Sequence, residues 1–141
     1  MKKIILVSHG LLAEGMKNSV ELISGKNNNL YAFGLTESNS PKAIAEEINK
    51  MIEEDVENQY LIISDFPGGS VNTAMISLIS KENVYLVSGM NLILCLEIVL
   101  ASKESKIEDV IEDALDSARK TLLNMKNISK EENEEEDYFN D

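Results

Sequence analysis

Four short, mainly apolar runs, each followed by a stretch long enough for a helix, constrain the fold of this chain more than any other feature. The runs lie at residues 3–7, 30–34, 60–64 and 84–88. They are apolar on both faces, which is typical of strands buried in a parallel sheet. Because parallel neighbours need a crossover between them, the pattern predicts a doubly wound α/β fold with a mostly parallel four-stranded sheet and helices on both faces.

Five helices are expected between and after these strands. The first two follow the first and second strands, and the second opens at Ser40-Pro41. Serine can accept a hydrogen bond from a free N–H group there, and proline lacks only an N–H that the helix does not use. The remaining helices are predicted over residues 70–79, 92–101 and 107–124 from their apolar spacing.

Length and composition fit one globular domain, with 141 residues of which 43% are hydrophobic. No apolar run approaches the ~18 residues that a membrane span requires, and the N-terminus does not read as a secretion signal. We therefore expect a cytoplasmic protein without direct membrane insertion. The single cysteine, Cys95, lies in an apolar segment and is expected to be buried without a catalytic role.

The acidic residues are concentrated at the C-terminus. Residues 130–141 contain seven acidic residues and one lysine, which is half of the formal net charge of −12. We expect a folded domain over residues 1–129 and a disordered acidic tail over residues 130–141. The domain has no cluster of Lys and Arg, which argues against nucleic-acid binding and favours a basic protein partner.

Two strand ends carry the candidate chemistry. His9, the only histidine, follows the first strand, and Asp65 follows the third. A doubly wound strand order of 2-1-3-4 places these strands side by side at the switch point, where ligands bind in such sheets. Asp65 would then accept the Nδ1–H of His9 and leave Nε2 free as a nucleophile or base. A structural histidine and a helix-capping aspartate remain the alternatives.

A glycine loop completes the candidate site. Gly68 and Gly69 allow a close approach of the backbone to a ligand, and Ser70 adds a hydroxyl at the start of a helix. With Gly10 and the start of the first helix, these residues predict a small anion pocket around His9, of the size of a phosphoryl group. The chain has no dinucleotide-binding or phosphate-loop motif, so a nucleotide is not expected.

Three segments carry a resemblance to a known family. Residues 7–10, 65–74 and 88–91 resemble, in order and spacing, the IIA component of the mannose-type (mannose, fructose and sorbose) sugar phosphotransferase system. The resemblance covers about residues 1–125. It implies that His9 accepts a phosphoryl group from the phosphocarrier protein HPr and passes it to a histidine of a IIB component. It also implies that Asp65 pairs with His9, without a metal or cofactor.

The same resemblance carries further expectations. Ser70 matches the family serine beside the phosphoryl group, whereas Val71 stands where the family often has proline, which leaves the exact geometry of the loop open. Some relatives continue through a flexible linker into a IIB domain, whereas this chain has an acidic tail at that point. A separate IIB chain is therefore expected. Family members form homodimers by exchanging an antiparallel C-terminal strand, which here would come from residues 123–129.

Three other classes compete with this interpretation. Histidine phosphatases need an arginine before the histidine and a second histidine, but Ser8 precedes the only one. Response-regulator receivers need an acidic pair after the first strand, which Ser8 and His9 do not supply. The main alternative is a IIA-like phosphoryl donor or regulatory module that serves another acceptor, such as a dihydroxyacetone kinase, again through His9.

Overall fold

The four apolar runs form one parallel sheet in the order β2-β1-β3-β4, which confirms the predicted doubly wound class. The computed structural model describes residues 2–128. The strands are β1 (Lys2–His9), β2 (Leu30–Leu35), β3 (Gln59–Ser64) and β4 (Val84–Ser88). Because all four run in the same direction, their carboxyl ends meet at one edge, and this edge carries His9.

Helices cover both faces of the sheet. They are α1 (Leu12–Ser24), α2 (Pro41–Glu54), α3 (Ser70–Ile76, continued by a 3₁₀ turn over Ser77–Ser80), α4 (Leu92–Leu100) and α5 (Ile107–Arg119). The predicted opening of α2 is confirmed, because the Ser40 hydroxyl accepts a hydrogen bond from the Ala43 N–H at 3.1 Å. The prediction that α5 reaches residue 124 is wrong. Residues 119–127 are exposed, so no apolar face holds a longer helix against the core.

The sheet separates two apolar cores, and β1 contributes to both. Ile4 and Leu6 pack on the side of α1, α4 and α5, whereas Ile5 and Val7 pack on the side of α2 and α3. This alternation follows from the period of two along a strand. All four are buried, and full burial of such a side chain contributes about 1.5–3 kcal/mol.

Cys95 belongs to the first of these cores, as expected. Its side chain is fully buried, and burial raises the pKa of its thiol to about 12. The thiol therefore stays protonated near neutral pH, and the residue acts as a small apolar side chain.

The C-terminal part differs from expectation. Residues 125–128 form a helical turn, and the part of the exchanged-strand segment that the structure describes contains no strand. Residue 129 and the predicted acidic tail at 130–141 lie outside the described residues, and strand exchange between two copies stays a prediction. No helix within residues 2–128 is long and apolar enough to cross a bilayer.

The turn after β1 is packed closely against the end of β2. Gly10 has a positive φ of 56° and donates its N–H to the Leu35 carbonyl at 2.8 Å. A Cβ atom on Gly34 would collide with the Gly10 carbonyl oxygen. Glycine at position 34 is therefore needed for the turn that follows His9.

We expect Gly34→Ala to lower the free energy of unfolding by about 1–3 kcal/mol, because the new methyl group meets backbone that cannot move aside. Gly15→Ala is the matched control, since a Cβ atom at this position in α1 meets no atom within 4 Å. It should stabilise the protein by about 0.5–1 kcal/mol. Urea unfolding of both variants measures the difference, and equal stabilities would contradict the proposed collision.

Candidate active site

The sheet brings His9 and Asp65 into direct contact at its carboxyl edge. Val7 pairs with Ser64 in the parallel register of β1 and β3, so the residues that follow are neighbours. His9 Nδ1 lies 2.8 Å from Asp65 Oδ2, and the His9 backbone N–H donates to the same oxygen at 2.9 Å. Asp65 therefore fixes both the backbone and the ring of His9.

This contact determines which ring nitrogen is free. An ionised carboxylate only accepts hydrogen bonds, so Nδ1 must carry the proton that it donates to Asp65. In the neutral ring, Nε2 then keeps its lone pair. The His9 side chain is 43% exposed whereas that of Asp65 is 8% exposed. The side chain that carries Nε2 is thus partly exposed, whereas the carboxylate that orients it is buried.

Asp65 is held as a carboxylate by its neighbours. Burial alone raises the pKa of this group, but hydrogen bonds from the His9 N–H, the His9 ring and the Phe66 N–H outweigh that effect. The pKa of Asp65 is therefore lowered from its usual value. An ionised Asp65 stabilises positive charge on the imidazole of His9.

Phe66 stacks on His9, a contact that the sequence analysis did not assign. The ring centroids are 5.5 Å apart, the planes are inclined by 27°, and Phe66 is 49% exposed. An aromatic residue directly after Asp65 was the only signal in the sequence. Together with Asp65, this ring restricts the rotation of the imidazole.

The glycine loop approaches the imidazole at Gly69. A Cβ atom on Gly69 would lie 2.8 Å from Phe66 Cζ and 3.1 Å from His9 Cε1. Gly68 has open space by comparison, with Phe66 Cε2 at 4.0 Å as the nearest atom. Ser70, the first residue of α3, is exposed. The structure thus brings Asp65 and Gly69 against His9, with Gly68 and Ser70 at the rim.

Gly10 and Ser8 shape the other side of the site. The Gly10 N–H is already bonded to Leu35, so this glycine contributes its turn geometry rather than a free donor for an anion. The Ser8 hydroxyl is buried and accepts the Ala13 N–H at 2.7 Å. This bond fastens the start of α1 to the end of β1, a role that the sequence analysis did not foresee.

A groove lies beside the glycine loop of the site. Its volume is about 940 Å³, it runs between α2 and α3, and its lining includes Gly68 and Ser70 but not His9. The exposed apolar side chains Leu11, Leu12 and Phe66 flank the histidine instead. A partly exposed imidazole with exposed apolar neighbours suits contact with another macromolecule.

These features define a class of protein: a doubly wound α/β domain that presents one carboxylate-bound imidazole at the open edge of its sheet. A sequence model of the family described as "PTS system fructose IIA component" matches residues 3–115. A sorbose-specific EIIA component of the phosphotransferase system from Lacticaseibacillus casei is 27% identical over 110 residues, which cover 77% of this chain and 80% of that protein.

Two solved structures share the fold. The phosphotransferase system component EIIA from Streptococcus agalactiae has a TM-score of 0.79 at 22% identity, covering 90% of this chain and 99% of that one. The mannose/sorbose specific IIA subunit from Enterococcus faecalis has a TM-score of 0.77 at 21% identity, covering 88% and 95%.

The family model spans most of the chain, which therefore belongs to the fructose IIA component family of the sugar phosphotransferase system. The family resemblance that the three sequence motifs indicated is confirmed by this match.

The ionisation of Asp65 should make stability depend on pH. Its pKa is lower in the folded protein than the value of about 3.9 in an unfolded chain. Its charge therefore stabilises the fold above that value, and the contribution is lost as the pH falls through the folded-state pKa. We expect Asp65→Asn to lower the free energy of unfolding near pH 5 by about 1 kcal/mol.

Urea unfolding near pH 5 and near pH 2 tests this expectation, with the difference between parent and variant shrinking at the lower pH. Both pH values lie below the ordinary pKa of histidine of about 6.5, so only the carboxylate of this pair changes charge in this window. Asp113→Asn, at an exposed position on α5, is the control. A difference for Asp65→Asn that is the same at both pH values would contradict the role of its charge.

The packing at Gly69 should be sensitive to one methyl group. We expect Gly69→Ala to displace the exposed Phe66 ring and disturb its stacking on His9, whereas Gly68→Ala leaves it in place. The chemical shift of the His9 Cε1 proton reports this, because it senses the ring current of Phe66, and the only histidine is readily assigned. Equal shifts in the two variants would show that Gly69 does not support the imidazole.

Proposed function

We propose that this chain is a phosphocarrier that accepts a phosphoryl group from phospho-HPr on Nε2 of His9. It passes the group to a histidine of a IIB component during sugar uptake. The observation that carries the proposal is the Asp65-bound ring of His9, whose Nδ1 is hydrogen-bonded to the carboxylate and whose side chain is 43% exposed. Membership of the IIA component family supports the same chemistry.

The proposed reaction exchanges one phosphorus–nitrogen bond for another. The lone pair of His9 Nε2 attacks phosphorus in line while the bond to the donor's imidazole nitrogen breaks. The Nδ1 proton stays in its hydrogen bond to Asp65, whose negative charge stabilises the cationic character of the phosphorylated ring. The second transfer, to IIB, repeats these steps with His9 as the leaving group.

The remaining loop residues would hold the phosphoryl oxygens. The transition state of phosphoryl transfer is loose and carries its charge on the equatorial oxygens, so catalysis depends mainly on positioning and hydrogen-bond donors. The proposed donors are Ser70 and the Gly68 N–H. The Gly69 N–H already meets the Phe66 carbonyl at 3.5 Å, and Gly69 provides the close approach to the ring. Gly10 contributes the turn that places His9.

The surface around His9 fits a protein donor and a protein acceptor. Leu11, Leu12 and Phe66 expose apolar area next to the imidazole, which a partner would cover during transfer. The negative charge of the chain favours a partner with a basic face. Both partners must use this edge in turn, because the sheet presents the imidazole on one side only. We further propose a homodimer in the cytoplasm, with IIB on a separate chain.

The identity of the acceptor separates the two candidate functions. A relative of this chain is named a sorbose-specific EIIA component, which favours a sugar-transporting IIB as the acceptor. A donor to a dihydroxyacetone kinase would use the same His9. Incubation of the phosphorylated protein with each purified acceptor distinguishes them.

Intact-mass spectrometry after incubation with enzyme I, HPr and phosphoenolpyruvate tests the proposal. We expect one acid-labile phosphoryl adduct on the parent chain and none on His9→Ala. We expect Asp65→Ala to slow its formation roughly 100-fold, which is the cost of misplacing a reacting atom by about 1 Å. Asp113→Ala serves as the matched control and should react at the parent rate. Phosphorylation of His9→Ala would refute the proposal.

A further inference from the structure

A buried chain of hydrogen bonds connects the strand ends to the glycine loop. The Ser64 hydroxyl donates to Asn72 Oδ1 at 2.6 Å, and it also shares a hydrogen bond with the Ser88 hydroxyl at 2.9 Å. The Asn72 Nδ2 group donates to the Pro67 carbonyl at 3.0 Å. Ser64 is 0% and Asn72 6% exposed. These contacts therefore hold with little competition from water.

The bond to Pro67 fastens the middle of the loop to the body of the protein. Asp65 and Phe66 are held through His9, and the Gly69 carbonyl is held by the N–H and hydroxyl of Thr73 at 3.0 and 3.1 Å. Pro67 and Gly68 lie between the contacts with His9 and the contacts with Thr73. Pro67 has no N–H to donate, and Gly68 is exposed. The amide of Asn72 thus bridges the part of the loop that lies between the imidazole and α3.

The same hydrogen-bond chain reaches the third sequence motif, residues 88–91, to which no chemistry was assigned. The Ser64 carbonyl accepts the N–H groups of Gly89 and Met90 at 3.1 and 3.0 Å. Asn91 donates to the Gly89 carbonyl at 3.0 Å and accepts the Leu94 N–H at 3.0 Å. The turn after β4 is therefore fixed to the end of β3, next to Asn72.

The direction of the bonds explains why Asn72 is an asparagine. Ser64 needs an acceptor, and the Pro67 carbonyl needs a donor, and one side-chain amide supplies both. Aspartate would offer oxygens to both neighbours and face the Pro67 carbonyl with a negative charge. An apolar residue would leave the Ser64 donor without its Asn72 acceptor and the Pro67 carbonyl without its Asn72 donor, each at a cost.

We propose that Asn72 is a positioning residue for phosphoryl transfer at His9. Its amide, oriented by Ser64 and Ser88, holds the glycine loop so that Gly69 and Phe66 pack against the imidazole. The side-chain amide of Asn72 bonds to Ser64 and Pro67 and not to His9, so it acts through the loop. This inference rests on the proposed function for its effect on transfer, but not for its effect on the loop.

Asn72→Leu tests the inference against Asn58→Leu as the matched control. Asn58 is also a buried asparagine, at 8% exposure, but it lies just before β3, at the opposite end of this strand from Asp65. Both variants lose buried hydrogen bonds and stability, but only Asn72→Leu should disturb the loop. We expect it to slow phosphorylation of His9 by saturating phospho-HPr at least about tenfold. Asn58→Leu should stay within about twofold of the parent.

Two further variants and one spectroscopic signal complete the experiment. Asn72→Asp keeps the bond from Ser64 and loses the donor to Pro67, so it should slow transfer even if Asn72→Leu does not fold. Ser64→Ala should have an intermediate effect. In the unphosphorylated protein, the His9 Cε1 proton should shift in Asn72→Leu and Asn72→Asp but not in Asn58→Leu.

The outcomes separate this inference from the proposed function. If the parent is phosphorylated and the Asn72 variants react at the rate of Asn58→Leu, the positioning role is refuted while the carrier function stands. If the parent takes no phosphoryl group, the carrier function is refuted. The chemical shift of the His9 Cε1 proton then tests only whether Asn72 holds the loop. An unchanged shift in the Asn72 variants would refute that role.

Discussion

The parallel pairing of β1 with β3 is the contact on which the site depends. In the sheet, β2 lies on one side of β1 and β3 on the other. The ends of β1 and β3, which are distant in sequence, are therefore neighbours. The register that pairs Val7 with Ser64 places His9 beside Asp65 without any further device. A slip of the register would carry these residues apart and exchange the faces of each apolar strand. The burial of Ile4 to Val7 in two cores therefore also fixes the position of the imidazole.

Much of this arrangement was predictable from the sequence because it follows from patterns that repeat. Strands that are apolar on both faces predict a covered parallel sheet, and two polar motifs at strand ends predict a shared edge. Two kinds of detail were not predictable. The first is the end of α5 at Arg119. It depends on whether the residues that follow have a surface of the protein to pack against, and no residue in the local sequence indicates that they do not. The second is the set of contacts made by Phe66, Gly34 and Asn72, which arise between segments that meet only in the folded chain.

The missed residues share a structural role, which is to hold the segments around His9 in place. Ser8 and Asn72 are buried polar residues with complete hydrogen bonding, and no buried side-chain nitrogen or oxygen within residues 2–128 lacks a partner. Such residues look like ordinary turn and helix residues in a sequence. Their function appears only when the partner atoms are known, since a serine at a strand end can accept from a helix or donate to an amide.

The carrier proposed here must release the phosphoryl group that it accepts, and the division of contacts at His9 is suited to that requirement. The strong interactions are made with Nδ1, the His9 backbone and one face of the ring. They hold the imidazole in place whether or not Nε2 carries a group, because none of them uses that nitrogen. The proposed donors of the glycine loop would have to favour the transition state over the phosphorylated state, because tight binding of the latter slows the second transfer. In the proposed cycle, a partly exposed and rigidly held ring would let two partners reach the same atom, so that the donor and acceptor, rather than this chain, would determine the direction of transfer.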